Sequence, residues 1–248
     1  TLLSTGLTIK RHAAQLLELV DSLILSLDGD EYIHDRIRNI PNAFARLREG
    51  VIHIKSLNPH YRITSRTVIH RMNFYSWPRI IGVAREMGID QVSFLPADVS
   101  SHAFNRQQAW NEPRQHEILP GEDELPHLFE VVETIIEHYP ELFKKHFIAE
   151  RPEKLRDIYR YYAAFYQLNA FPFSKCNAPW VSTVIEADGN VRPCFFFDTI
   201  GNIHTHTLDE ILNSEAAVSF RKRLDTANNE TCVKCVCRLN LSPFTNVG

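Results

Sequence analysis

Two segments decide how this chain folds: CNAPWVSTVIEADGNVRPC, from Cys176 to Cys194, and CVKCVC, from Cys232 to Cys237. They contain all five cysteines of the 248-residue sequence. A C-x-x-C pair on a tight turn directs two sulfurs at one centre, and two more thiolates from a distant hairpin complete a tetrahedral set. We therefore predict one metal site, with Cys176, Cys194, Cys232 and Cys235 as its ligands.

Other interpretations of these cysteines remain open at this point. Four thiolates suit either zinc or an iron–sulfur cluster, and their spacing alone does not choose between the two. Reduced structural thiols or a disulfide pair are a further alternative, but such cysteines would not all be confined to the last third of a chain. Cys237 is the fifth cysteine, one more than a four-thiolate site uses, and we predict that it is a spare thiol.

The order of residues in this region resembles a known module. Cys176-x12-Gly189-x4-Cys194 is followed by Gly201-Asn202-Ile203, by the helix TLDEILNS and by the C-x-x-C pair. This order is similar to the C-terminal auxiliary-cluster domain of radical S-adenosylmethionine (SAM) enzymes. The four-cysteine form is called Twitch and the longer form SPASM, and the short cysteine set favours Twitch. The resemblance implies a [4Fe–4S] cluster held by the four cysteines named above.

Upstream of the cysteines, apolar runs alternate with segments of helical periodicity. This alternation predicts a parallel sheet with right-handed crossovers, whose functional residues lie at the carboxyl ends of the strands. The predicted strands are 1–5, 22–27, 61–70 and 91–95, and the predicted helices are 9–20, 41–57, 76–87, 122–147 and 152–168. Residues 97–120 show no period and predict a loop or lid.

The first half also resembles the middle of a radical SAM barrel. Ser26-Leu27-Asp28-Gly29 is followed by His34-Asp35-x-x-Arg38, as in that family, although Thr5-Gly6 lacks the asparagine expected between them. The resemblance implies an α/β chain: a partial (β/α)6 TIM-like barrel and then a small α+β Twitch/SPASM domain. We expect a barrel part over 1–120, a helical connection over 121–172 and a cluster domain over 173–248.

The resemblance also implies cofactor contacts. Ser26 would hydrogen-bond the methionyl or ribose part of SAM, and Leu95 would offer backbone contacts to the adenine. Arg38 would contact the cofactor, and Asp28 would orient the substrate or the ribose. The alternative for Ser26 and Asp28 is turn chemistry at a strand end, and for Arg38 it is a surface ion pair with Asp35.

Composition limits the partners. The net charge is −3 with no basic block, so nothing indicates nucleic-acid binding. No apolar run reaches the ~18 residues of a membrane span. Cysteines in metal-site spacing are typical of a reducing compartment, which predicts a cytoplasmic protein.

The chain begins at Thr1 and contains neither the C-x3-C-x2-C loop that holds the SAM-cleaving cluster of the family nor its Gly-Gly-Glu strand. We therefore expect a fragment that does not cleave SAM alone. The complete enzyme would be a radical SAM oxidoreductase or maturase, in which a 5′-deoxyadenosyl radical abstracts a substrate hydrogen and the auxiliary cluster handles the electron. Its partners would be a peptide or small-molecule substrate and an electron donor such as flavodoxin or ferredoxin.

Two alternatives come from other classes of protein. A degenerate barrel could serve as a non-catalytic iron–sulfur electron carrier or peptide-binding scaffold, or the chain could be a zinc-stapled binding domain.

Asp98, His102 and Glu186 are candidates for a general base, and the sequence does not choose among them.

Overall fold

The first half of the chain forms a parallel sheet with helical crossovers. The computed structural model describes residues 1–103, 106, 108–172 and 175–242. The sheet has the order β1-β2-β3-β4, and every neighbouring pair is parallel. Its strands are β1 (Leu2–Ser4), β2 (Ser22–Ser26), β3 (Arg62–Ile69) and β4 (Gln91–Pro96). Sequential parallel order with crossover helices is the arrangement predicted for a partial barrel, and it is confirmed.

The crossover and following helices begin and end at recognisable signals. They are α1 (Ala13–Leu19), α2 (Glu31–Arg38), α3 (Ala43–Leu57), α4 (Trp77–Glu86), α5 (Glu112–Ile118), α6 (Leu125–His138), α7 (Pro140–Lys144) and α8 (Pro152–Phe165). Asp30 caps α2 by accepting a hydrogen bond from the Ile33 amide at 3.2 Å, and Asn39 ends α2 with a left-handed φ of 52°. Helices α2 and α5 were missing from the prediction, and the single helix predicted over 122–147 is divided before Pro140.

The core lies between one face of the sheet and these helices. Leu23, Leu25 and Leu27 alternate along β2 and its end with no exposed surface, and the residues between them are half-buried. The strands β3 and β4 repeat the alternation. Successive side chains of a strand point to opposite faces, so the sheet has a helix-covered apolar face and a second, half-buried face.

The chain divides into two compact units. The first, called here the barrel unit, consists of residues 1–97 and 116–170. The second, called the cluster unit, consists of residues 98–115 and 171–248.

The cluster unit contains a small antiparallel sheet and short helices. The sheet has the order β5-β6-β7, formed by Val184–Ile185, Asn190–Arg192 and Gly201–Asn202. The helices are α9 (Ala178–Val181), α10 (Leu208–Leu212), α11 (Glu215–Arg223) and α12 (Glu230–Val233). A capping box between Thr207 and Glu210 starts α10. Within the described ranges, no helix is long and apolar enough to cross a membrane.

Candidate functional site

Asp28 and Arg38 form a partly buried ion pair at the carboxyl end of β2. Arg38 is the last residue of α2, and its Nε donates to Asp28 Oδ2 at 2.5 Å. The Asp28 carboxylate is almost fully buried, whereas about a quarter of the Arg38 side chain is exposed. A Cβ at Gly29 would lie 2.6 Å from the Ile33 side chain, so the close return of α2 needs glycine there. Arg38 therefore presents its remaining N–H groups from a fixed position.

The residues His34 and Asp35 are occupied within the barrel unit. His34 is fully buried and its Nδ1 accepts from the Asp28 amide at 3.1 Å, so the ring proton is on Nε2. Burial lowers the pKa of His34, although the Asp28 carboxylate 3.6 Å away opposes this, and the ring is neutral. The Asp35 carboxylate accepts from the amides of Asn42 and Phe44 at 2.6 and 2.8 Å, which fixes the start of α3.

Three polar side chains tie the strand ends together. Asn73 is fully buried, and its amide nitrogen donates to the carbonyls of Asp28 and Val68 at 3.1 and 3.0 Å. The Thr67 hydroxyl donates to the Leu27 carbonyl at 2.5 Å. The Tyr162 hydroxyl donates to the Ile69 carbonyl and accepts from the Ala97 amide at 2.7 Å. These bonds fix the ends of β2, β3 and β4 relative to one another.

A row of polar side chains crosses the half-buried face of the sheet. Ser26 is in register with Arg66, and Arg66 with Ser93. Partners in parallel strands point to the same face. Arg66 is exposed and reaches Ser93 Oγ at 3.4 Å, while the Ser26 hydroxyl makes no hydrogen bond within the described residues. Leu95 lies on the same face in register with Val68. The row offers the Arg66 cation and the Ser26 hydroxyl, whereas the Ser93 hydroxyl donates to the Ser65 carbonyl at 3.3 Å.

Glu150 is a group that the sequence analysis missed. Ile148 makes a parallel bridge with Val92, and Glu150 follows two residues later. Burial raises the pKa of the Glu150 carboxyl to about 7, although hydrogen bonds from the Phe94 amide and its own amide and the charge of Arg66 act in the opposite direction. Glu150 Oε2 has no hydrogen-bond partner in the described part of the chain.

The cysteines of the cluster unit come from segments that hydrogen bonds hold together. Asn177 follows Cys176, and its amide nitrogen donates to the Leu241 carbonyl at 2.7 Å while its side-chain oxygen accepts from the Leu241 amide at 3.0 Å. The Asn177 backbone N–H donates to the Leu239 carbonyl at 2.8 Å. Cys176 is therefore held beside the segment that follows the C-x-x-C pair.

The C-x-x-C pair lies on a capped turn. Asn229 starts α12 by accepting from the Cys232 amide at 3.2 Å, and the Cys235 amide donates to the Cys232 carbonyl at 3.2 Å. Cys194 follows β6, on the same hairpin whose turn Gly189 allows with a φ of 83°. The Cys237 amide donates to Cys235 Sγ at 3.3 Å, so the fifth cysteine adjoins the pair.

The thiols share one partly buried environment. Burial, with smaller contributions from Cys194 and Cys176, raises the pKa of Cys232 to about 11. Burial also raises the pKa of Cys235 to about 12, with added contributions from Cys237, Cys176 and Cys194. The four predicted ligands thus lie within electrostatic range of one another. Within the described residues, no three histidine, cysteine, aspartate or glutamate side chains converge on a position for a single metal ion.

Thiolates that repel one another and are poorly solvated are stabilised by a bound cationic centre. This donor set, four sulfurs of equal chemistry in a partly apolar shell, fits an iron–sulfur cluster. No disulfide joins any of the five cysteines.

The comparisons with known proteins agree with a barrel and cluster-domain fold. Residues 176–236 match the family model of SPASM, described as an iron-sulfur cluster-binding domain. The matched segment contains all four predicted ligands and ends before Cys237. No curated protein sequence matches the chain.

Among solved structures, the chain is similar to SuiB from Streptococcus suis. The structure of SuiB bound to the precursor peptide SuiA aligns with a TM-score of 0.58 at 14% identity, over 95% of this chain and 53% of that one. SuiB alone gives 0.58 at 15% identity, over 95% and 54%. SuiB bound to S-adenosylmethionine gives 0.56 at 14% identity, over 94% and 53%. This chain spans about half the length of SuiB, and at such identity the likeness concerns the fold. The predicted resemblance to radical SAM enzymes with a Twitch/SPASM-type domain is confirmed at that level.

Proposed function

We propose that this chain is the cofactor-binding and auxiliary-cluster part of a radical SAM enzyme that modifies a peptide. The observation that carries the proposal is the match of residues 176–236, which contain the four cysteines, to the SPASM family model. We assign a [4Fe–4S] cluster to Cys176, Cys194, Cys232 and Cys235. Because the chain contains a single further cysteine, we propose one auxiliary cluster of the Twitch type.

In the barrel unit, we propose that SAM lies on the half-buried face of the sheet. Ser26 would donate or accept a hydrogen bond there, and Leu95 would contribute backbone contacts. Arg38 would contact the cofactor through the N–H groups that Asp28 does not use, so that Asp28 acts by orienting Arg38. Arg66 joins this set as a cation that can bind a carboxylate.

When bound, the cofactors would supply one-electron redox chemistry and the 5′-deoxyadenosyl radical that abstracts a substrate hydrogen. The protein's part is to fix their positions and to exclude water around them. The SAM-cleaving cluster would need thiolate ligands beyond the five cysteines of these 248 residues. The proposal includes an electron donor such as flavodoxin or ferredoxin and the reducing cytoplasm as location. The peptide substrate is supported by the precursor peptide bound to SuiB.

The test is to measure iron, acid-labile sulfide and zinc per chain after anaerobic reconstitution. We expect about four iron and four sulfide for the wild type and a loss of both in the Cys232→Ala/Cys235→Ala variant. Cys237→Ser is the matched control, because it removes a thiol from the same turn and should keep the cluster. One zinc without sulfide would overturn the proposal and favour a zinc-stapled domain.

SAM binding tests the barrel unit independently of the cluster. Equilibrium dialysis with the reconstituted chain should show weaker SAM binding for Arg38→Ala and Arg66→Ala than for the wild type. Arg62→Ala is the control, because Arg62 is the first residue of β3, at the amino end of the strand, where it donates to the Gln91 side chain at 3.1 Å. If Arg38→Ala and Arg66→Ala bound SAM as tightly as the control variant and the wild type do, the proposal that SAM lies on this face would be overturned.

A further inference from the structure

The cluster unit contains a groove of about 730 Å³ beside its small sheet. One part of its lining is the hairpin that begins with β5, and another is formed by His102, Ala103 and Arg106. The lining residues are His102, Ala103, Arg106, residues 184–188, Arg192 and Phe195.

The β5 strand lies at the edge of its sheet, next to β6 alone among the described strands. The Glu186 amide donates to the Asn190 carbonyl at 2.8 Å, and Val184 is paired with Arg192. Hydrogen-bonded and non-bonded positions alternate in an antiparallel pair, so the N–H and C=O of Ile185 point away from β6. The Ile185 side chain is 46% exposed and lines the groove. A free edge of this kind is a template for pairing with another strand.

The charged groups of the groove already have partners. Asp188 accepts hydrogen bonds from the backbone and side-chain amides of Asn190 at 3.0 and 2.7 Å. Arg106 is bonded to the buried Asp98 carboxylate, and Arg192 Nε lies 2.9 Å from Glu186 Oε2. That second contact is an ion pair without a well-aligned hydrogen bond, since Arg192 Nε has no such partner in the described part. His102 Nε2 lies 3.7 Å from the exposed Asp198 carboxylate. A charged ligand would therefore find its counter-ions occupied and would lose its own hydration.

We propose that an extended, uncharged peptide segment binds in this groove by adding to the β5 edge as a further strand. Main-chain hydrogen bonds to Ile185 would supply the register, and alternate apolar side chains of the peptide would enter the groove. The inference rests on the proposed peptide substrate and adds where one segment of it binds on the cluster unit.

The probe is an acetylated, amidated and fluorescently labelled heptapeptide of alternating threonine and valine. Its binding to the reconstituted chain is followed by fluorescence anisotropy, and hydrogen–deuterium exchange measured by mass spectrometry locates it. We expect slower exchange in the fragment that contains Ile185. The Ile185→Pro variant removes the outward N–H without removing a hydrogen bond to β6. It should weaken peptide binding about tenfold, because one main-chain hydrogen bond to the peptide is lost and the proline ring obstructs the added strand. Ile185→Ala retains the N–H and should weaken binding less.

Two controls separate strand addition from other causes. The same peptide N-methylated at every main-chain amide has no N–H group to donate to a strand edge and should not bind. Unchanged iron content and unchanged exchange in β6 would show that Ile185→Pro is folded. Equal affinity of wild type and Ile185→Pro, protection elsewhere in the chain, or no binding at millimolar peptide would each overturn the proposal. Loss of iron with retained peptide binding would instead overturn the cluster assignment alone.

Discussion

Replacing Glu150 by glutamine should stabilise the barrel unit at high pH and leave it nearly unchanged at low pH. Burial raises the pKa of the Glu150 carboxyl from its ordinary 4.5 to about 7 in the folded chain. The folded state therefore binds the proton more tightly than the unfolded state does. Stability from this group is fully present below pH 4.5 and is lost as the pH rises through about 7.

The size of the effect follows from the pKa difference. Each pKa unit corresponds to about 1.4 kcal/mol, so the ionised carboxylate destabilises the fold by about 3 kcal/mol well above pH 7. Glutamine keeps an oxygen that can accept from the Phe94 amide and carries no charge. The variant should therefore exceed the wild type by up to about 3 kcal/mol at pH 8.5 and by less than about 1 kcal/mol near pH 5.

The assay is urea unfolding between pH 5 and 8.5, followed by the fluorescence of Trp77. Trp77 is fully buried in the barrel unit, and its ring is 5.1 Å from that of Phe94. Trp110 and Trp180 are replaced by phenylalanine in all proteins, so that the signal reports the barrel unit. Comparing variant and wild type at each pH removes the contributions of all other titrating groups.

Glu153→Gln is the matched control on the following helix. Hydrogen bonds from Arg160 and Arg156 lower the pKa of the exposed Glu153 carboxyl, so its contribution is lost as the pH falls through that lowered value. The difference between this control and the wild type should not grow from pH 5 to pH 8.5. A Glu150→Gln difference that is constant with pH, or that favours the wild type at pH 8.5, would refute the reasoning.

Three further predictions concern hydrogen bonds and the spare thiol. Tyr162→Phe removes the hydroxyl that bonds the Ala97 amide and the Ile69 carbonyl, and it leaves both of these buried groups without that partner. The free energy of unfolding of the barrel unit should therefore fall by about 1–3 kcal/mol in the same urea assay. An unchanged unfolding midpoint would contradict this. Asn177→Ala breaks both bonds to Leu241 and should speed the loss of iron to a chelator, measured by absorbance, whereas equal rates would show that this clamp does not hold the cluster. Cys237→Ser should retain the wild-type iron content, and a loss would make Cys237 a ligand.

The sequence predicted the elements whose signals are local. The apolar run at 22–27 gave β2 within one residue, because a strand covered by helices needs such a run. The helix predicted over 122–147 missed the break before Pro140, although proline disfavours helical conformation in the residue that precedes it. Helix α2 was missed although Asp30 is a good N-cap residue.

Contacts between distant segments could not be predicted in this way. Asn73 and Asp28 are 45 residues apart, and Tyr162 and Ile69 are 93 apart. No periodicity or motif marks either pair, because each bond depends on how strands and helices pack after they form. Arg66 was overlooked for a related reason. Its strand was predicted from the sequence. That Arg66 shares a face of the sheet with Ser26 and Ser93 follows only from the register between the strands.

The structure also changes what the Ser-Leu-Asp-Gly and His-Asp-x-x-Arg motifs mean. Gly29 is needed for the close return of α2, and His34 satisfies the Asp28 amide. Asp35 satisfies two amides at the start of α3. Most of the motif thus stabilises the turn itself, and Arg38 keeps N–H groups that no hydrogen bond within the described residues uses. A motif whose members mainly stabilise one turn is compatible with any protein that contains this turn, whether or not it binds SAM. Ligand binding must therefore be tested at Arg38 and on the sheet face, since substitutions at the buried motif residues would report folding first.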